Sequence, residues 1–287
     1  MARVWSDTVQ SIQKLQQEAK ANGYPLWFRG QRAANWVLLS SIHRNINASF
    51  ERVLGVPSQS VSEAEKIELM RETFKTLFHK FKARAVQLLP EHEKSDWGLV
   101  FAMQHLGLPT RLLDWTESFP CALYFAQHKR NPSDDAAIFI FSPQQHNQTV
   151  VGREGLVFLG GDASKPMIVK THQYHPAVVR GADDNDMETL AVEPELTNPR
   201  MVAQRSAFTL CGASFQPLEE RYPDSIRKFV IRSEDFPDAQ AFLDLASQTH
   251  FGYFPDLDGL KVQLIEGLEQ EILLARDYRA KHETEYS

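Results

Sequence analysis

The chain is poor in cysteine: its 287 residues include two, Cys121 and Cys211. Both lie in apolar segments, and their spacing fits neither a zinc site nor a disulfide framework. Long apolar runs are also lacking, since none approaches the roughly 18 residues of a membrane span. Residues 1–30 carry no signal-peptide core. We therefore expect a cytoplasmic protein in a reducing setting, without membrane insertion.

Positive charge is in deficit, because 31 lysines and arginines stand against 37 aspartates and glutamates, for a net charge of −6. No global basic field draws such a chain to nucleic acid or anionic membranes, although a local basic patch stays open. The sequence also lacks a P-loop and the GxSxG, HExxH and GxGxxG motifs. Ordinary kinase, hydrolase, zinc-protease and dinucleotide-fold functions are disfavoured, because proteins of those classes carry these motifs.

The chain does contain a mixture of helical and strand patterns. Helices are predicted at residues 6–21, 62–89, 96–105, 238–248 and 257–274. Short strands are predicted at residues 26–30, 136–141, 155–161 and 166–170, and a surface loop at 45–60. Long helices followed by short strands favour an α+β class. We expect one domain over residues 1–287, built on a small split sheet, antiparallel or mixed, surrounded by helices.

One stretch, residues 104–127, combines apolar side chains with ionisable ones. His105, Arg111 and Asp114 lie there among leucine, tryptophan, tyrosine and phenylalanine. Because burying a charge is costly unless it is paired, each of these residues needs a partner. A further arginine in an apolar run, Arg29, occurs far upstream in WFRGQR. We therefore expect the two stretches to meet and form one polar pocket inside a hydrophobic frame.

Each of these polar residues has more than one interpretation. Arg29 can hold a phosphate, with Gly30 leaving room for the ligand, or it can pair with Asp114 in the core. Asp114 or Thr116 can instead cap the helix that follows. His105 can be a proton donor or a core histidine with its hydrogen bonds satisfied. The residues alone leave these alternatives open.

Gln204 lies in a predicted turn before a strand, with Arg200 and Arg205 nearby. A glutamine can hold an amide or a ribose hydroxyl, but it cannot act as a general base. The alternative is a hydrogen bond to a loop backbone.

Five motifs occur in order along the chain: WFRG, QHLGLPTRLLDWT, ALYFA, NPRMVAQRSAFT and YFPDLDGL. Together they resemble the FRG-domain family, which is named for the motif seen here as Phe28, Arg29 and Gly30. The resemblance runs from about residue 27 to residue 260. It implies that residues 1–287 form a single FRG domain.

The order of the motifs is also similar to that of ADP-ribosyltransferases of the Arg-Ser-Glu type, which use NAD. Those enzymes place an arginine on a first core strand, then a Ser/Thr-containing strand before a helix, and a catalytic glutamate on a later strand. The resemblance implies an ADP-ribosyltransferase-like sheet in which Arg29 contacts the NAD phosphates or ribose and Thr116 lies beside the nicotinamide ribose. Tyr124 or Phe125 shapes the nicotinamide pocket. The implied cofactor-binding set is Phe28, Arg29, Gly30, Arg111, Thr116, Tyr124 and Phe125.

Two positions depart from the transferase pattern. DWT replaces Ser-Thr-Ser, and Gln204 stands where the glutamate is expected. A carboxylate there stabilises the positively charged transition state electrostatically, which a neutral amide does poorly. The implied catalytic set is Gln204, Asp114 and His105. Either another acid supplies the missing charge (Asp114, or Glu193 or Glu195 just upstream of Gln204), or the enzyme is slow, or the pocket only binds.

These resemblances imply an NAD-dependent ADP-ribosyltransferase-like effector of the toxin or phage-defence type. Its acceptor would be a protein or a nucleic acid, and an antitoxin or another regulatory partner would control it. A non-catalytic nucleotide-binding module is the alternative. A nuclease-like effector is a third possibility, but the sequence has no clustered carboxylate motif for magnesium, and we expect no metal.

Overall fold

The structure, a computed structural model, describes residues 5–159, 174, 187–194, 196 and 198–282. The strand predicted at residues 166–170 lies outside the described residues, as does Glu195. Within them, helices pack around an open, mixed sheet of seven strands. The predicted α+β class is therefore confirmed.

Helices and strands are interspersed along the described part of the chain. The helices are α1 (Trp5–Ala21), α2 (Ser41–Leu54), α3 (Glu63–Ala85), α4 (Asp96–His105), α5 (Phe119–Gln127), α6 (Pro143–Val151), α7 (Pro199–Ala203), α8 (Leu218–Arg221), α9 (Phe236–Leu245), α10 (His250–Tyr253) and α11 (Leu257–His282). The strands are β1 (Trp27–Gln31), β2 (Leu112–Thr116), β3 (Ala136–Phe141), β4 (Val157–Phe158), β5 (Leu190–Glu193), β6 (Ser206–Leu210) and β7 (Ile226–Ile231). Short 3₁₀ turns also occur, at Ser58–Ser60, Glu91–Glu93 and Ser233–Asp235.

Helix α3 follows from local signals in its sequence. The Ser62 side chain accepts a hydrogen bond from the Glu65 backbone N–H at 3.3 Å, which supplies a partner for one of the unpaired donors at the helix start. Phe74 and Phe78, one turn apart, are buried on the face that meets the core. The prediction ran on to residue 89, but the helix ends at Ala85 and gives way to a turn.

The loop predicted at residues 45–60 is wrong for most of its length, because α2 runs through it. Ile42, Ile46 and Phe50 recur every four residues and are all buried, so one face of α2 packs into the core. The helix stops at Gly55, whose φ of 66° is the left-handed conformation that glycine adopts without strain. Polar residues between the buried ones hid this period in the sequence.

The sheet has the strand order β4-β5-β6-β2-β1-β3-β7 and is antiparallel except between β4 and β5. β1 pairs with β3, and β2 pairs with β6, over their full lengths. β1 and β2 pair with each other at one position, Phe28 with Thr116. The sheet is therefore split between two of its central strands, as predicted, and a cleft opens where they diverge.

Separate groups of helices cover the two halves of the split sheet. On the half formed by β1, β3 and β7, Phe28 and Ile138 pack in one apolar cluster with side chains of α1, α5 and α9. On the other half, Leu112 and Phe208 pack in another cluster with side chains of α2, α3 and α4.

A third apolar cluster joins the two halves: it includes Trp27 of β1 and Trp115 of β2, and the Trp115 ring stacks on that of Phe141 in β3, with 5.0 Å between the ring centres. The halves therefore stay joined through this cluster although β1 and β2 pair at one position.

Candidate functional site

The cleft between β1 and β2 has a volume of about 950 Å³. WFRG and the stretch at residues 104–127 both line it, which confirms that these segments meet. Eight of the predicted site residues lie on its wall: Phe28, Arg29, Gly30, His105, Asp114, Thr116, Phe125 and Gln204. Arg111 and Tyr124 are not among its lining residues.

Arg29 reaches across the split. Its Nη1 donates a hydrogen bond to the backbone carbonyl of Asp114 at 2.7 Å, while the nearer carboxylate oxygen of Asp114 is 3.8 Å away. The Nε of Arg29 is buried and has no hydrogen-bond partner within the described part of the chain. Burial lowers the pKa of Arg29; Asp114 opposes that shift, and the nearby Arg44 adds to it. Pairing with Asp114 therefore leaves one donor of the guanidinium unused.

Asp114 does not cap the helix that follows it. Its Oδ2 accepts a hydrogen bond from Gln104 Nε2 at 2.7 Å. The cap of α5 is Ser118, whose hydroxyl accepts from the Cys121 N–H at 3.4 Å. Thr116 instead donates from Oγ1 to the Gln204 carbonyl at 2.6 Å. The carboxylate of Asp114 therefore remains on the cleft wall, with about half of its side chain, 54%, exposed.

Gly30 serves the packing of α5 onto β1. A Cβ built on Gly30 would lie 1.8 Å from the carbonyl oxygen of Ala122 and 2.7 Å from the backbone nitrogen of Ala126, both in α5. The expectation that Gly30 leaves room for a ligand is therefore wrong, because the helix backbone occupies that space. Glycine lets the helix approach closely enough to form one wall of the cleft.

The charge of the cleft is opposite in sign to that of the whole chain. Among the described residues, four arginines and one carboxylate line it: Arg29, Arg32, Arg44, Arg200 and Asp114. Arg200 has an ion pair with Asp256, with 2.8 Å between Nη2 and Oδ2. Burial lowers the pKa of Arg44, while Asp114 opposes that shift. An anion bound here would relieve the repulsion between Arg29 and Arg44, so the cleft is suited to phosphate or carboxylate ligands.

Gln204 and His105 line the cleft from two different segments of the chain. Gln204 ends α7 just before β6, and its Nε2 donates to the Tyr253 carbonyl at 3.0 Å. His105 ends α4 and is exposed, so its interpretation as a core histidine is wrong. Partial desolvation and the nearby Arg200 lower the pKa of His105, which favours the neutral imidazole.

Arg111 and Tyr124 take positions behind the cleft. Arg111 is buried, its Nε donates to the Cys211 carbonyl at 3.0 Å, and its guanidinium carbon lies 5.3 Å from the centre of the Tyr174 ring. The hydroxyl of Tyr124 forms hydrogen bonds with the Nδ1 atoms of His128, at 3.1 Å, and His250, at 2.5 Å. Tyr124 therefore supports the cleft residue His128 without lining the cleft itself.

Sequence reasoning missed several lining residues, among them Trp36, Arg44, Gln104, His128 and Arg200. Arg44, like Arg29, is an arginine beside an apolar run in the sequence, so the same criterion could have predicted it as a lining residue. Gln104 gave no such signal, because its role depends on a carboxylate that the fold brings to it.

The other carboxylates considered for the site do not reach it. Glu193 is exposed on β5 and is absent from the cleft wall, and Glu195 lies outside the described residues. Among the described residues, no three His, Cys, Asp or Glu side chains cluster closely enough to hold a metal ion. No helix in that part of the chain is long and apolar enough to cross a membrane.

Comparison with known proteins assigns part of the chain. Residues 24–135 match the family model of the FRG domain, so this part of the chain is similar to that family. The resemblance seen in the sequence is confirmed over that span, which contains Arg29, Asp114 and Thr116. Gln204 lies beyond it. No curated protein and no solved structure matches the chain.

Proposed function

We propose that the cleft binds NAD through its phosphates and that the protein is an ADP-ribosyltransferase-like effector, of the toxin or phage-defence type, acting on a macromolecule. The observation that carries this proposal is Arg29. Its guanidinium is fixed across the split by the bond to the Asp114 carbonyl, and the side chain lines the cleft. A planar guanidinium with its donors fixed in this way matches the oxygens of a phosphate.

The size and charge of the cleft fit a dinucleotide. Its volume of about 950 Å³ lies near the upper end of the roughly 300–1,000 Å³ typical of small-molecule sites. Arg29 and Arg44 together offer two positive charges to the two phosphates of a pyrophosphate. Their lowered pKa values reflect burial, and a bound dianion would reverse that shift.

The strand order supports the transferase class over other nucleotide sites. β6, β2 and β1 are neighbours, and they carry the three parts of the transferase pattern. Arg29 on β1, Thr116 at the end of β2 and Gln204 just before β6 line one cleft. Segments that are far apart in the sequence thus meet at one cleft, as a shared site requires.

Bound NAD would supply an ADP-ribosyl group whose bond to nicotinamide breaks as positive charge develops on the ribose. Asp114 is the carboxylate on the cleft wall, and Gln104 holds its Oδ2 in place. We assign to it the electrostatic stabilisation of that charge. His105, neutral at the rim, is suited to accept a proton from the incoming acceptor. Gln204 orders the wall, because its amide is bonded to the Tyr253 carbonyl.

A non-catalytic nucleotide-binding module is the second candidate. The observation in its favour is the same amide: Gln204 carries no charge and its Nε2 already has a protein partner. A cleft that only binds needs the arginines but not the carboxylate. The two candidates therefore predict the same ligand and differ in the consequence of removing Asp114.

Binding is tested by calorimetric titration and thermal shift with NAD, ADP-ribose and a panel of nucleotides. We expect wild type to bind NAD or ADP-ribose and Arg29→Ala to lose that binding while it stays folded. Arg52→Ala, which removes an exposed arginine of α2, is the matched control and should bind like wild type. No response to any ligand by a well-folded wild type would overturn the proposal.

Transfer is tested with labelled NAD and cell extract as the source of acceptor. Asp114→Asn should bind NAD but lose transfer, because the amide cannot stabilise the developing charge. Gln204→Glu should gain NAD hydrolysis, since it restores a carboxylate at the position where the resemblance expects one. If wild type and Asp114→Asn both bind NAD and neither releases nicotinamide, the binding module is the correct function.

A further inference from the structure

Trp36 is unusually exposed for a tryptophan in an ordered part of the protein. It lines the cleft and is 48% exposed, whereas Trp27 and Trp115, on the two strands that diverge, are 1% and 3% exposed. A tryptophan side chain offers a large apolar face whose removal from water is favourable. An indole left open on a cleft wall is therefore available to a flat ligand group.

The loop that carries Trp36 is anchored on both sides of it. The Ala34 N–H donates to the Asp135 carbonyl at 2.7 Å. The Leu38 N–H donates to the Glu219 carboxylate at 3.0 Å, and the Leu38 side chain is fully buried. These bonds fix the backbone around Trp36, so its exposure follows from the fold and not from a fraying loop.

One face of the indole already carries a cation. The guanidinium carbon of Arg32 lies 5.5 Å from the centre of the Trp36 ring, and Arg32 Nη1 also donates to the Lys129 carbonyl at 3.5 Å. A guanidinium over one face holds the ring in place through a cation–π contact. About half of the Trp36 side chain, 48%, is still exposed, next to a cleft whose arginines are suited to phosphate.

We propose that Trp36 is the nucleobase platform of the cleft: the base of a nucleotide stacks on its indole while the phosphates lie at Arg29 and Arg44. This inference rests on the proposed function and adds the part of the ligand that the arginines do not recognise. Stacking is tolerant of base identity, because every base presents a flat π face. The platform therefore selects for a base-bearing phosphate ligand over a simple phosphate.

The test compares a ligand that has a base with one that lacks it. Wild type, Trp36→Ala and Trp36→Phe are titrated with ADP-ribose and with inorganic pyrophosphate. Loss of one base stack, about 1–3 kcal/mol, corresponds to a loss of affinity of roughly 5- to 150-fold, and we expect Trp36→Ala to weaken ADP-ribose by about tenfold or more. Its affinity for pyrophosphate should stay unchanged. Trp36→Phe should keep most of the ADP-ribose affinity, because phenylalanine still stacks.

Fluorescence supplies a second readout. ADP-ribose should quench the tryptophan emission of wild type, and Trp36→Phe should bind the ligand without that component of the quenching. Phe158→Ala, which removes an aromatic ring that is 60% exposed on β4, is the matched control and should behave as wild type in both assays.

The outcomes separate the inference from the proposed function. Equal ADP-ribose affinity in wild type and Trp36→Ala would overturn the platform and leave phosphate binding intact. Equal losses for ADP-ribose and pyrophosphate would also overturn it, because Trp36 would then only support the shape of the cleft. A wild type that binds neither ligand would overturn the proposed function, and the platform with it.

Discussion

Arg29 and Arg111 give the same signal in the sequence but lie in opposite surroundings. Each is an arginine inside an apolar stretch. Arg29 borders the open split between β1 and β2 and keeps a buried donor that has no partner among the residues that the structure describes. Arg111 is enclosed in the interior, bonded to the Cys211 carbonyl and placed over the Tyr174 ring. An arginine among apolar residues can thus contact a ligand only where the fold opens beside it.

The pairing of the strands explains the difference. Arg111 precedes β2, which pairs with β6 along its whole length; the Cys211 N–H then donates to the Arg111 carbonyl at 2.9 Å, so the chains stay close beyond the ladder. β1 and β2 separate after a single pair, and the guanidinium of Arg29 crosses the gap. Continuous pairing of β2 with β6 closes the space around Arg111. The interrupted pairing of β1 with β2 leaves open space beside Arg29.

Removing Arg111 should have the largest effect on stability. Arg111→Ala leaves the buried Cys211 carbonyl without its donor and opens a cavity, which should lower the free energy of unfolding by about 3 kcal/mol. Urea denaturation monitored by circular dichroism measures this change. Arg52→Ala, at an exposed position, should change it by a few tenths of a kcal/mol. A mild loss in Arg111→Ala would show that the interior is not closed around this side chain.

Gly30→Ala should also destabilise the protein, although Gly30 belongs to the strand that lines the cleft. The added Cβ would lie 1.8 Å from the Ala122 carbonyl oxygen, so α5 has to move away from β1. Overpacking of this kind costs about 1–3 kcal/mol. Gly267→Ala, where a Cβ meets no atom within 4 Å on helix α11, is the matched control and should be neutral or stabilising. Equal stability of the two variants would contradict the close packing of α5 on β1.

His43 should make the interior around Arg111 sensitive to acid. His43 is 1% exposed, and burial, with Arg111 as a further cause, lowers its pKa to about 3. Because the pKa is about 6.5 when unfolded, the neutral form stabilises the fold above pH 6.5, and that stability is lost as the pH falls toward 3. The loss from this residue is about 1.4 kcal/mol per pH unit below 6.5.

The measurement is a series of urea denaturations at pH 7, 6 and 5 for wild type and His43→Asn. The asparagine can keep a hydrogen bond to Ser40, whose hydroxyl is 2.7 Å from His43 Nδ1, but it does not titrate. The variant should show the shallower dependence on pH, whatever its stability at pH 7. Parallel curves would mean that His43 is not the titrating group.

Arg29→Ala should have the smallest effect on stability. The Asp114 carbonyl that it leaves behind faces the cleft, where water can replace the lost donor. We expect the free energy of unfolding to fall by about 1 kcal/mol or less. The same denaturation series measures it beside Arg111→Ala. A loss as large as that of Arg111→Ala would make Arg29 a structural residue and remove the contrast between the two regions.

Local patterns in the chain were sufficient for much of the fold. The cap at Ser62 and the apolar period after it specified α3, and the run from residue 136 to 141 specified β3. The same method missed α2, whose buried Ile42, Ile46 and Phe50 are separated by asparagine, serine and charged residues. Those polar residues favour turns when considered alone, and helix packing against the core overrides that preference.

The candidate site, like the fold, could be predicted from the sequence only in part. Ionisable residues in an apolar context are visible in the sequence, and Arg29, Asp114 and His105 were found from it. The exclusion of Arg111 from the cleft, the reason for Gly30 and the support of Asp114 by Gln104 depend on contacts between distant segments. The sequence shows which side chains carry a charge, but whether an arginine can reach a ligand depends on where two strands stop pairing. That is a property of the packed sheet.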